Sequence, residues 1–121
     1  MADPGELTPV EVFVLCEVEP EAMLWEIPAT RTDNGTDQQR AAAVPPLRDA
    51  VVSLAERGLI EVNDFPAWPT LRHEAIPVTT TTLRSVLTPV HVWLWHGDDT
   101  SLLTVTITQA GITWLSSRSW R

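Results

Sequence analysis

Polar and apolar positions become ordered at Thr8-Pro9-Val10-Glu11, a capping-box pattern with proline at the first helical position. The following run, Val12-Phe13-Val14-Leu15-Cys16, is apolar on every side of a helix and predicts a deeply buried one. Val10, Val12, Val14, Cys16 and Val18 also alternate as in a strand, but the start signal favours the helix. Pro20 opens a short segment, 21–27, and Pro28 closes it. Residues 28–37 read as a loop turning at Asn34-Gly35. Thr36-Asp37-Gln38-Gln39 caps a short helix through Ala43, which Val44-Pro45-Pro46 breaks.

The clearest periodicity lies in 46–57. Leu47, Ala50, Val51, Leu54 and Ala55 fall on one helical face, and Gly58 supplies the left-handed stop. Leu59-Ile60-Glu61-Val62 is a short strand. Residues 63–88 form an insertion: Phe65-Pro66-Ala67-Trp68-Pro69 is a proline-broken loop, Thr79 to Thr82 is extended or starts a helix, and 82–87 make a helical turn or two. Residues 90–95 then predict a strand, 96–101 a turn and 102–107 the return strand of a hairpin. Thr108 caps a last helix over 109–117. Residues 1–6 and 119–121 read as tails around a single domain, 7–118, with no internal repeat.

Composition narrows the function classes. The chain has 121 residues, a size for one domain, with 16 acidic residues against 8 basic ones and a formal charge of -8. The basic residues are all arginine, there is no tyrosine, and there are six tryptophans. One cysteine, Cys16, excludes an internal disulfide and a cysteine-type zinc site and favours a reducing compartment. No apolar stretch approaches a membrane span, and neither a secretory nor a lipidation signal is present, so the expectation is a soluble cytoplasmic chain that binds no membrane.

Two stretches carry a resemblance. Leu54-Ala55-Glu56-Arg57-Gly58-Leu59-Ile60-Glu61-Val62 and Ile107-Thr108-Gln109-Ala110-Gly111-Ile112-Thr113-Trp114-Leu115 resemble the segments that enter and leave the wing of MarR- and PadR-type winged helix-turn-helix regulators. The resemblance covers about half the chain and implies an α+β, winged-helix-like fold with three or more helices and a β-hairpin wing. Roughly forty residues separate the motifs where the family has a short hairpin, hence an enlarged insertion. It also implies DNA binding through helix 46–57 and a last helix that often dimerises.

Charge argues against the first implication. DNA binding needs a basic footprint, yet the solvent face of 46–57 carries Asp49, Ser53, Glu56 and Arg57, with Arg48 at its edge. The favoured reading is therefore a non-catalytic regulatory module acting by protein-protein contact or as a homodimer, with Trp93, Trp95, Asp49, Ser53 and Glu56 as candidate interface residues. Val90, Val92 and Leu94 alternate with His91, Trp93 and Trp95, so an exposed tryptophan pair is an interface anchor and a covered one is core. The alternative is a DNA-binding regulator using Arg40, Arg48, Arg57 and Arg72. A third reading is a small-molecule sensor whose pocket is lined by tryptophans.

Catalytic and metal chemistry has no constellation to stand on. His91 and His96 face opposite sides of a strand, and His96 with Asp98 and Asp99 reads as a solvated turn. Cys16 sits in an apolar run, where a cysteine is an inert small hydrophobe. The expectation is no enzyme, no cofactor and no metal.

Overall fold

The computed structural model describes residues 6–65, 76–94 and 102–117. In chain order they form α1 (Pro9–Glu17), β1 (Glu21–Met23), α2 (Glu26–Arg31), α3 (Asp37–Glu56), β2 (Ile60–Phe65), β3 (Ile76–Pro77), α4 (Thr80–Leu87), a 3₁₀ turn (Val90–Trp93), β4 (Leu102–Ile107) and α5 (Gln109–Ser116). This is an α+β arrangement of five helices and a four-stranded antiparallel sheet among the described residues, ordered β1-β4-β2-β3.

The helix starts obey local chemistry. Thr8 caps α1: its Oγ1 accepts the Glu11 amide at 3.2 Å while Glu11 Oε1 accepts the Thr8 amide at 2.8 Å. The strand alternative for 10–18 therefore falls to the helix. Burial of α1 is less complete than its apolarity predicts: Val14 and Leu15 are buried, Val12 and Phe13 half-buried, and Cys16 exposed. The Arg31 guanidinium lies 4.9 Å over the Phe13 ring and covers part of this outer side. Thr36 and Gln39 make a second capping box at α3, and Thr108 Oγ1 accepts the Gly111 amide at 3.2 Å at the start of α5. Gly58, at φ 76°, ends the α3 turn in the left-handed region that favours glycine.

Three prolines fall where a break was expected. Pro28 does not close its segment. Residues 21–23 are a strand, and Pro28 stands third in α2, where an amide has no helical acceptor to lose. Nor do Pro45 and Pro46 end the helix that Thr36 starts: α3 runs unbroken through both to Glu56. The prolines occupy exposed positions, whereas Val44, Leu47, Val51 and Leu54 are buried on the opposite side. Packing of that apolar stripe against α1 and α2 outweighs the lost amides and ring clashes, about 3 kcal/mol for an interior proline.

The hairpin expectation also changes. Val90–Trp93 is a 3₁₀ turn, and the partner of β4 is β2, in register from Ile60↔Ile107 to Phe65↔Leu102. On its other side β4 holds β1, with Ala22 opposite Val105. Ala22, Ile60, Val62, Val105 and Ile107 bury the inner sheet face; Glu21, Glu61 and Thr106 stand on the other. The expected turn at 96–101 lies outside the described residues.

The physical reason is Trp93. It is 0 % exposed, and its indole N–H donates to the Leu87 carbonyl at 2.9 Å. A segment apolar on both faces has no register to lose by curling, and burial of one large ring fixes the turn instead. Leu83 and Leu87 of α4 are fully buried in the same core as Val44, Leu47 and Ile27. The part of the insertion that is described thus completes the helical core by packing onto α3.

Candidate functional site

The outward side of α3 is where the candidate residues gather. Asp49, Ser53 and Glu56 are spaced three and four residues apart and share one ridge. Asp49 and Glu56 are exposed and Ser53 half-buried. On one flank lies α4. Arg84 Nη1 donates to Asp49 Oδ1 at 3.1 Å, and Arg48 turns beneath to donate from Nε to the Leu87 carbonyl at 3.0 Å and from Nη2 to the Thr88 carbonyl at 2.9 Å. The last carbonyls of α4, without helical donors of their own, are thereby satisfied by a cation at the negative end of the helix.

On the other flank the first turn of α1 and the ridge bound an open groove of about 420 Å³, lined by Val10, Pro46 and Ala50 with Thr8, Asp49 and Ser53 at its edges. Glu11 lies against it and is only 6 % exposed. Burial opposes its ionisation most strongly, but hydrogen bonds from Ser53 and Thr8 and the charge of Arg57 together outweigh burial, so its carboxyl is held below the ordinary glutamate value. Glu11 was not singled out as a site residue from the sequence. The available signal was a carboxylate in the first turn, followed by the apolar run Val12 to Cys16.

The candidate DNA contacts that are described bond to backbone carbonyls of their own chain. Arg40 Nε donates to the Gly35 carbonyl at 2.8 Å, and Arg57 Nη1 to the Glu6 carbonyl at 2.9 Å, which ties residue 6 of the expected tail to the end of α3. Together with Arg31 over Phe13 and Arg84 on Asp49, each of the five arginines among the described residues has an intrachain partner. Arg72 lies outside the described residues.

The tryptophan pair does not present an anchor at Trp93. That side chain is core, which removes it from the candidate interface, while Trp95 lies outside the described residues. Trp25 and Trp114 are half-buried, and no described tryptophan lines the α1–α3 groove. Cys16 is exposed rather than enclosed, with a thiol pushed up by partial desolvation and by the charge of Glu19, the opposite of what a nucleophilic thiolate needs. Among the described residues no group of three His, Cys, Asp or Glu is placed to hold a metal, and no helix is long and apolar enough to cross a membrane. Comparison with known protein families, curated proteins and solved structures finds no match.

Proposed function

We propose that this chain is a non-catalytic binding module, built on a winged-helix type of scaffold, that acts through protein contact. The scaffold reading draws on order. A Thr36-capped helix ends at Gly58 and enters β2; β2 pairs with β4 like the two arms of a wing; and β4 leads through Thr108 into α5. Between those arms the described residues 76–94 form β3, α4 and the 3₁₀ turn, where the resembled family has a short hairpin tip.

The observation that carries the contact reading is that α4 packs along one flank of α3 and takes up Arg48. A helix that reads a DNA groove needs an open ridge and free cations beside it. Here α4 and the 3₁₀ turn pack on α3, Arg48 caps the covering helix, and Asp49 and Glu56 face outward among a charge of -8. The ridge repels phosphate and suits a protein partner.

The test is an anisotropy titration of labelled mixed-sequence duplex DNA from low to physiological salt. The expected result is no binding at tens of micromolar protein. Weak binding that falls steeply with salt would overturn the reading in favour of a DNA-binding regulator acting through Arg40, Arg48 and Arg57.

A further inference from the structure

The turn between α2 and α3 holds a reactive pair of residues in a fixed shape. Asn34 is exposed and takes φ 59°, in the left-handed region that asparagine tolerates better than most residues. Gly35 follows because the chain is crowded there: a Cβ would meet Gln39 Oε1 at 2.5 Å and Thr32 Cβ at 3.0 Å. Shape therefore dictates Asn-Gly, the pair in which the asparagine amide is least shielded from the next backbone nitrogen, since glycine has no Cβ to stand between them.

The same turn holds that nitrogen back. The Gly35 N–H donates to Thr32 Oγ1 at 3.1 Å, and Thr32 Oγ1 donates in turn to the Pro28 carbonyl at 2.8 Å. The Gly35 carbonyl accepts from Arg40 Nε at 2.8 Å. On either side, the Asn34 amide donates to the Ala29 carbonyl at 2.7 Å and the Thr36 amide to Gln39 Oε1 at 2.8 Å.

We infer that Asn34 is a deamidation site latched shut by the Thr32 hydroxyl. When the latch opens, hydroxide from solvent takes the Gly35 amide proton and the nitrogen attacks Asn34 Cγ. An N–Cγ bond forms, the Cγ–Nδ2 bond breaks, and Nδ2 leaves as ammonia with a proton from water. Water then opens the cyclic imide. Cleavage between the nitrogen and Cγ gives aspartate; cleavage between the nitrogen and the backbone carbonyl carbon of residue 34 gives isoaspartate. Either product adds one negative charge. Donation to Thr32 opposes the first step, because a hydrogen bond to the protonated nitrogen disfavours loss of its proton. The ammonia is not regained when the turn closes, so the site records how often it has opened. Isoaspartate also lengthens the backbone by one carbon, which moves Gly35 off Thr32 and Arg40.

The experiment incubates the whole chain in mildly alkaline buffer and follows the peptide spanning the turn by chromatography and mass spectrometry, separating Asn34 from its aspartate and isoaspartate products. The folded chain should convert far more slowly than the same chain unfolded in urea. Thr32→Val keeps the side-chain shape and removes the acceptor; it should speed conversion about ten-fold. Thr32→Ser returns the hydroxyl and should stay close to the parent. Glu11→Gln lowers the stability of the whole fold without touching this turn, and it too should stay close to the parent.

Equal rates in the folded and unfolded chains would overturn the proposal, as would an unchanged rate in Thr32→Val. A rise in Glu11→Gln as large as that in Thr32→Val would assign the protection to global stability and overturn the role of the Thr32 hydroxyl.

Discussion

Trp93 and Arg48 converge on one oxygen. The indole N–H of Trp93 reaches the Leu87 carbonyl at 2.9 Å and Nε of Arg48 reaches it at 3.0 Å. One donor comes from the 3₁₀ turn and the other from the middle of α3, so the end of α4 is clamped from both sides. Replacing Trp93 by alanine empties the largest fully buried site and should cost about 3–5 kcal/mol. Trp93→Phe keeps most of the packing but leaves the carbonyl to Arg48 alone, at about 1–2 kcal/mol. Urea unfolding of the two variants separates ring from hydrogen bond; equal losses would refute the role of the indole N–H.

Arg48 acts through a fork that lysine does not reproduce. Arg48→Ala should destabilise the chain by about 1–2 kcal/mol and speed amide exchange selectively in α4. Arg48→Lys should recover less than half of that, because one ammonium cannot serve the Leu87 and Thr88 carbonyls in the same planar geometry. Full recovery by lysine would mean that only the charge at the helix end matters.

Glu11 makes stability depend on acid. Its carboxyl titrates below the ordinary glutamate value in the folded chain, so the carboxylate stabilises the fold above the unfolded value, about 4.3, and that contribution is lost as pH falls through the folded value. In Glu11→Gln the stability at neutral pH should fall by about 1–2 kcal/mol, and the decline below pH about 4.5 should be shallower than in the parent. Parallel pH profiles of the two chains would contradict this.

Removing a proline from α3 should strengthen it. Pro45→Ala returns an amide to the Ala41 carbonyl and removes a ring clash at an exposed position, a gain of about 1–3 kcal/mol less the entropy that proline denies the unfolded chain. Thermal unfolding should shift upward by several degrees. A downward shift would indicate that the prolines set a bend that the core requires.

Gly111 is a site where one methyl group is too many. A Cβ there would strike the Leu59 carbonyl and meet Ile107 Cγ1 at 2.6 Å. The obstacle on one side is backbone, so Gly111→Ala should push α5 off the end of the sheet and cost about 1–3 kcal/mol. Unchanged stability would show that α5 rides freely.

The elements legible in the sequence were those whose signals are local. The Thr8 and Thr108 caps, the face Leu47–Ala55, the Gly58 stop and the helical turns at 82–87 each rest on residues within a turn or two of one another, whereas the start of α4 at Thr80 lies in a threonine run that suits extended chain and helix alike. Continuity of α3 was not legible, because Pro45 and Pro46 speak locally for a break and only the distant partners of Val44 and Leu47 overrule them. The 90–95 segment misled for a related reason: its alternation is equally apolar on both sides, so period two carries no information about a face. At the site, Asp49, Ser53 and Glu56 were legible as a ridge. The engagement of Arg40 and Arg48 was not, since their acceptors are backbone carbonyls of Gly35, Leu87 and Thr88, which no side-chain pattern marks.

The strand order β1-β4-β2-β3 has a consequence for how the chain is born. β1 and β2 do not touch each other; β1 pairs with β4 alone, and β2 has only the two-residue β3 to pair with before β4, the last of the described strands, is made. The core beside α3 waits likewise for Trp93. The chain must therefore have left the ribosome through residue 107 before this sheet can close, and until then the inner faces of β1 and β2 stand uncovered, a nascent surface that chaperones would have to shelter.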